Sequence, residues 1–360
     1  MKTEGPVKVL IIDASTLFGR VLAAELQRAA DLRVVASAPD ATQARQALLH
    51  HQPDVILLDL DLPADESLPL LRNLRRYYPV PVIALCGRAP QSAARAMQAV
   101  AAGVLDVLEK PALCTPNTIR ALATELAPHL RIAAVDARVP PVRRAGPRAR
   151  APSFRAAGID PARHLIVIGA STGGPETLRT LLAQAPPDFP PVAIVQHMPA
   201  GFTASFADRL NHSSALTVRE ARDGDLLTPG HAVVARGDTH LVVRRAGDAW
   251  RVHYTHQQPV NRHCPSVDVL FESAVVAAGR DAIGIQLTGM GDDGARGLLK
   301  LRQAGAITIA QDRTSCVVYG MPKVAVELGA ARHQARPDEI PALVHHLLAA
   351  RPVAASASER

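Results

Sequence analysis

The sequence predicts an α/β chain made of two doubly wound parallel-sheet domains. Apolar runs of strand length alternate with segments of helical period over two separate stretches, and a proline- and arginine-rich stretch divides them. At 360 residues the chain is too long for one ordinary domain and long enough for two cores. Hydrophobic residues make up 48% and charged residues 20%, close to a globular average, so folding is expected throughout both halves.

The first half alternates from Val7 to about Ala134: VKVLIID, TLFGRVLAAELQRAA, RVVASA, ATQARQALLHH, DVILLDL, PLLRNLRRYY, VPVIALC, QSAARAMQAVAA, LDVLEK and TIRALATELAPHL. Five strands and five helices in turn imply a parallel sheet covered on both faces, because a parallel crossover needs a helix to return the chain. A domain over residues 1–135 follows. Residues 136–160 carry prolines and six arginines with almost no apolar periodicity, and they read as a linker. That arginine run is either a solvated spacer or a dock for an acidic partner or the neighbouring domain.

A second alternation begins with HLIVIGA and defines a domain over 161–352, followed by a disordered tail at 353–360. Between Thr217 and Thr255, short alternating runs separated by Pro229-Gly230, Gly237-Asp238 and Gly247-Asp248 read as β-hairpins added to the α/β core. Helix and strand then alternate again, with helices expected near 322–329 and 338–350.

The formal charge of +7 does not by itself imply nucleic-acid binding: aromatics are only 3%, no recognition motif accompanies the charge, and the arginines gather in the linker. Cys86, Cys114, Cys264 and Cys316 are scattered without C-x-x-C spacing, which argues against structural zinc or a disulfide framework and for a reducing cytosol. The opening MKTEGPVKVLIID lacks a secretory signal's apolar core, and no apolar stretch reaches the roughly 18 residues that span a bilayer. A cytoplasmic protein without membrane insertion is expected.

In open parallel sheets reacting groups gather where strands end, so the residues after each strand are the ones to inspect. LIVIGA runs into Gly169-Ala170-Ser171-Thr172-Gly173-Gly174, a G-x-S-x-G pattern that suits a nucleophile on a sharp strand-to-helix turn. Taken alone, the same turn could cradle a phosphate or be a plain glycine-rich connection. PVAIVQ ends at His197, and IGIQLTG leads into Gly289-Met290-Gly291-Asp292-Asp293-Gly294. An alcohol, an imidazole and a carboxylate at three strand ends fit a nucleophile, its base and the acid that orients the base. The dinucleotide pattern G-x-G-x-x-G fails because Ser171 stands at its second glycine, which removes a nucleotide-dependent oxidoreductase.

With GASTGG, QHMPAGFTASFADRLN, VNRHCPSVDVLF, LTGMGDDGARG and AQDRTSCVVYGMP together, the second half resembles the catalytic domain of chemotaxis-type protein-glutamate methylesterases over roughly 163–350. The resemblance implies hydrolysis of glutamate γ-methyl esters on methyl-accepting receptor proteins, often with deamidation of selected glutamines, and no cofactor in catalysis. By motif it implies Ser171 as nucleophile, His197 as base, Asp293 as orienting acid, and the backbone at Thr172 and Met290 as oxyanion donors. Asp292 stays outside the triad, and Cys264 departs from the basic residue usual at its position. The competing expectation is a non-enzymatic receptor-binding protein.

The first half resembles a phospho-accepting receiver in VLIIDAS, PDVILLDLDLP and VLEKP, so a flavodoxin-like receiver joined to a Rossmann-like esterase domain is expected. That resemblance implies Asp59 as the phosphorylated carboxylate, Lys110 as relay, Asp13 and Asp59 as ligands for Mg²⁺, and a histidine kinase of the same pathway as partner. Here Ala14 replaces an acidic residue, Cys86 stands at the switch hydroxyl, and ADES replaces the common turn. Weakened metal binding and a degenerate receiver that still docks are the expectation.

Overall fold

The computed structural model describes residues 5–78, 80–136, 150–255 and 258–351. The chain divides into two compact units. In the first, β1 (Val7–Ile12), α1 (Thr16–Leu26), β2 (Leu32–Ala38), α2 (Ala41–His51), β3 (Val55–Asp59), α3 (Ser67–Tyr77), β4 (Val82–Cys86), α4 (Pro90–Ala102), β5 (Asp106–Glu109) and α5 (Pro116–Asp136) follow in turn. The strands form one parallel sheet in the order β2-β1-β3-β4-β5.

Strands β3 and β4 are buried at every residue because helices cover both faces, which is why they read as unbroken apolar runs rather than alternating ones. Local signals set the helix starts: the Ser15 side chain accepts from Phe18 N at the head of α1, and Asp40 accepts from Gln43 N at 2.8 Å at the head of α2. One core cluster joins Val9, Ile11, Leu57, Ile83 and Leu85 of the sheet to Phe18 and Leu22 of α1 and Leu122 and Leu126 of α5. Burial of that size of apolar side chain stabilises by about 1.5–3 kcal/mol each before entropy is subtracted.

From Leu165 onward the chain forms β6 (Leu165–Ala170), α6 (Gly174–Ala183), β7 (Val192–Gln196), α7 (Ala200–Ser213), β8 (Thr217–Glu220), β9 (Leu226–Leu227), β10 (His231–Val234), β11 (Leu241–Ala246) and β12 (Ala249–Tyr254). After these come α8 (Val267–Ala278), β13 (Ala282–Gln286), α9 (Ala295–Gln303), β14 (Ile307–Gln311), α10 (Met321–Glu327), β15 (His333–Ala335) and α11 (Ile340–Ala349). Seven parallel strands run β15-β14-β13-β6-β7-β10-β8, and β11-β12-β9 make a small antiparallel sheet.

The hairpin expectation for 217–255 holds for β11 and β12, which turn at Gly247, but not for β8 and β10. Those two pair parallel with each other, and β10 pairs parallel with β7, so they extend the main sheet. A loop carrying β9 replaces the helix that normally makes such a crossover, so Pro229-Gly230 read as a hairpin turn. The linker expectation also needs correction. Residues 137–149 and 353–360 lie outside the described residues, but Ala151 N donates to Gln184 O at 3.0 Å and Phe154 is fully buried against Phe189 and His345. A single aromatic anchors a stretch whose composition otherwise reads as solvated.

Strand β6 lies at the centre with β7 on one side and β13 on the other, so the strand order reverses at β6 and a crevice opens at its carboxyl end. Among the described residues, no helix is long and apolar enough to cross a membrane.

Candidate active site

Backbone register brings the three strand ends together. Ala170 pairs with Gln196 across β6 and β7, His197 N donates to Ala170 O at 3.0 Å, and Ser171 N donates to Thr288 O at 3.0 Å. Ser171 and His197 are therefore the next neighbours beyond the last paired residues, on strands about 4.8 Å apart. Gly174 N donates back to Ser171 O at 2.7 Å and closes the elbow, and Gly173 at φ 76° adopts the left-handed conformation that starts α6. A methyl group on Gly289 would lie 2.7 Å from Ser171 Cβ, so only glycine lets the loop after β13 pass this close to the serine. Ser171 is 9% exposed, and its Oγ makes no hydrogen bond among the described residues.

His197 Nε2 lies 2.9 Å from Asp293 Oδ2. With that nitrogen donating its proton to the carboxylate, the neutral ring carries its lone pair on Nδ1, which is buried and has no partner among the described residues. Asp293 is 1% exposed and accepts four further hydrogen bonds, from Ser266 Oγ and Val267 N at 2.7 Å, Asn261 Nδ2 at 2.9 Å and Asp268 N at 3.3 Å. Burial alone would raise its pKa, but the hydrogen bond and charge of His197, with Asn261 and Ser266, outweigh burial and hold the carboxyl far below the usual range. Asp293 is thus a fixed anion at neutral pH.

The structure joins His197 to Asp293 directly and sets Ser171 beside them through the backbone. Thr172, the residue after the serine, is buried, and Met290 follows the Gly289 that abuts Ser171. The helix that follows, α6, starts at Gly174, and its dipole favours negative charge at that end. Asp292 is exposed, and its carbonyl accepts from Ala295 N at 3.0 Å, an ordinary helix-start contact. Sequence reasoning missed the support of this site: Asn261, Ser266 and Asp268 around the acid, and His263, whose ring stacks on His197 at 3.8 Å between centroids and 9° between planes. All four lie in VNRHCPSVD, where the signal was the motif itself and not any one residue's chemistry.

In the first unit, Asp13 and Asp59 stand at the ends of β1 and β3, 1% and 4% exposed. Lys110 Nζ bridges them, 2.5 Å from Asp13 Oδ2 and 2.8 Å from Asp59 Oδ2. Burial raises the Asp59 pKa, with the Asp13 charge adding to it against the pull of Lys110. Burial works against a charged Lys110, yet the two carboxylates outweigh it and hold the ammonium on. Ala14 is exposed and offers no oxygen side chain, while Cys86 is fully buried, with burial pushing its thiol pKa far up. Asp61 went unremarked in the sequence: it accepts from Gly87 N at 2.6 Å, Ser92 Oγ at 2.9 Å and Arg95 Nη1 at 3.1 Å. Among the described residues, no group of three His, Cys, Asp or Glu side chains is arranged to hold a metal. Two clustered carboxylates fit Mg²⁺ only in its usual minimal mode, where water supplies most of the shell.

A serine on a strand-to-helix elbow, next to an imidazole oriented by a buried carboxylate at the switch point of a doubly wound sheet, defines the class as a serine hydrolase. The family model described as CheB methylesterase matches residues 166–344, and that described as response regulator receiver domain matches residues 9–123. The chain is 45% identical to protein-glutamate methylesterase/protein-glutamine glutaminase 2 of Pseudomonas aeruginosa, over 91% of this chain and 92% of that one. It is 42% identical to protein-glutamate methylesterase/protein-glutamine glutaminase of Paraburkholderia xenovorans, over 94% and 93%. Against the crystal structure of the Thermotoga maritima CheB methylesterase catalytic domain, identity is 38% and the TM-score 0.50, covering 51% of this chain and 98% of that one. The chain belongs to the CheB methylesterase family and carries a receiver domain ahead of the catalytic one.

Proposed function

We propose that the protein hydrolyses γ-methyl esters of glutamate side chains on methyl-accepting receptor proteins by acyl transfer through Ser171. The observation that carries this is the 2.9 Å His197–Asp293 pair, which leaves the ring's other nitrogen as a base on the rim occupied by Ser171. Ser171 Oγ attacks the ester carbonyl carbon as His197 takes its proton. The carbonyl oxygen becomes an oxyanion held by the Thr172 and Met290 N–H groups, and methanol leaves with the proton from His197. Water, deprotonated by the same ring, then attacks the acyl-enzyme and frees the glutamate and Ser171. With a glutamine side chain the same steps release ammonia, which accounts for the second activity in the relatives' names.

The domains proposed are a receiver over 1–135 and a catalytic domain reaching back to Ala151, with regulation by a histidine kinase in the cytoplasm. Asp59 is the proposed phosphoryl acceptor and Lys110 its relay, with Asp13 and Asp59 as the residues that would hold Mg²⁺. The ion would neutralise charge between acceptor and phosphoryl oxygens. The missing carboxylate at Ala14 supports a receiver that docks but takes up phosphate poorly. A purely receptor-binding role leaves unexplained why one buried carboxylate should be held by five donors beside an imidazole. The test is methanol release from methylated receptor membranes, with and without a small phosphodonor. The wild type should release methanol and Ser171→Ala should not; equal release by both would overturn the assignment.

A further inference from the structure

One short turn reaches both partners of the serine. Val260 and His263 exchange backbone hydrogen bonds of 3.0 and 2.9 Å, and the two residues between them are left-handed, Asn261 at φ 51° and Arg262 at φ 69°. That is a two-residue type I′ hairpin turn, in which asparagine is favoured first and glycine second. An arginine in the second place costs roughly 1 kcal/mol, so the conformation must be held from outside. Asn261 does this: its Nδ2 donates to Asp268 Oδ2 at 2.7 Å and to Asp293 Oδ1 at 2.9 Å. Asp268 is itself pinned by Gly297 N at 2.6 Å, at the start of α9. His240, fully buried, accepts Ser266 N on Nδ1 at 3.0 Å and so presents Nε2–H to Gln258 O at 2.9 Å, tying both ends of the turn to one ring.

The held turn lays the His263 ring flat on His197. A single hydrogen bond to Asp293 fixes one direction of the His197 ring but leaves it able to twist about the Nε2···Oδ2 line. Such a twist changes where the free nitrogen Nδ1 points without breaking the bond to the acid. A parallel ring at 3.8 Å blocks it, because turning one plate lifts its edge into the other. We propose that His263 is a positioning residue that fixes the plane of His197, and that Asn261 is the anchor holding this plate and Asp293 in one register. The proposal rests on the reading that Ser171, His197 and Asp293 carry the hydrolysis.

The experiment uses the full chain and methylated receptor membranes, measuring kcat and KM separately, with thermal unfolding as a check on folding. His263→Ala should lower kcat roughly 10- to 100-fold through lost alignment while KM stays within about twofold. His263→Phe, which restores a flat ring without a titratable nitrogen, should recover most of that loss. Asn261→Gly relaxes the first left-handed position yet removes the amide, so it should stay folded with a somewhat lower Tm and lose kcat. Labelling of Ser171 by a fluorophosphonate should slow in parallel with kcat. Wild-type kcat in His263→Ala, a loss confined to KM, or His263→Phe as impaired as the alanine variant would each overturn the positioning role. Undiminished turnover in Ser171→Ala would instead remove the reading beneath it.

Discussion

The two sheets end in rims of similar plan but unequal completeness. At the catalytic rim the buried carboxylate, Asp293, has five donors and one clear recipient of its charge, the His197 ring. At the receiver rim two buried carboxylates share one lysine, and the place of a third carboxylate holds the Ala14 methyl group. Donors around Asp293 stabilise a single charge state, whereas the receiver pair leaves Asp59 with a raised pKa. The difference teaches that one residue change matters most where charges are not already over-supplied with partners.

Breaking the complete rim should give the largest effects. His197→Gln removes the base and should lower turnover by about 10⁵- to 10⁶-fold, and Asp293→Asn by about 10⁴-fold, since the ring then loses its orienting charge but keeps its place. Methanol release in receptor membranes reads both. Gly289→Ala should cost roughly 100-fold without unfolding the sheet, because the added methyl meets the flexible Met321 side chain, which can give way, and the Ser171 Cβ and backbone, which cannot. A normal rate in that variant would show that the serine has room to move.

The incomplete rim offers a gain instead. Ala14→Asp should restore a third carboxylate and speed Mg²⁺-dependent phospho-labelling of Asp59 by about tenfold, measured with a small phosphodonor. Rapid, stoichiometric labelling of the unaltered chain would abolish the contrast between the rims. A smaller effect concerns His129, half-buried in α5 with Nδ1 3.0 Å from Asp106 Oδ2. Burial opposes its charge, but the Asp106 hydrogen bond and charge, with Glu125, outweigh burial and raise its pKa above 6.5. Its contribution is therefore complete below about pH 6.5 and lost as pH rises through the raised value. Replacing it by glutamine should lower Tm by roughly 2–5 °C at pH 6 and by less at pH 8.5, as followed by circular dichroism.

The parallel sheets and the three strand-end residues were legible because they depend on local pattern: unbroken apolar runs, glycines at an elbow, and chemistry placed straight after a strand. What escaped depends on distant partners. Strands β8 and β10 are only four residues each, too short for periodicity to separate a parallel edge from a hairpin arm. Phe154 looked like one apolar residue in a solvated stretch, since its pocket of Phe189 and His345 comes from far along the chain. His263 read as one histidine among fourteen, and only the folded turn lays it on His197. Asp61 carries no signal of its own beside Asp59, because Gly87, Ser92 and Arg95 converge on it only in the fold.

The central claim is that Ser171 is made nucleophilic by the His197–Asp293 pair. Treating the intact protein with a fluorophosphonate, digesting it and mapping the adduct by mass spectrometry tests this directly. A single adduct on Ser171 that blocks methanol release and disappears in His197→Gln is the expected result. An adduct on another residue, or equal labelling of Ser171 without the imidazole, would contradict it.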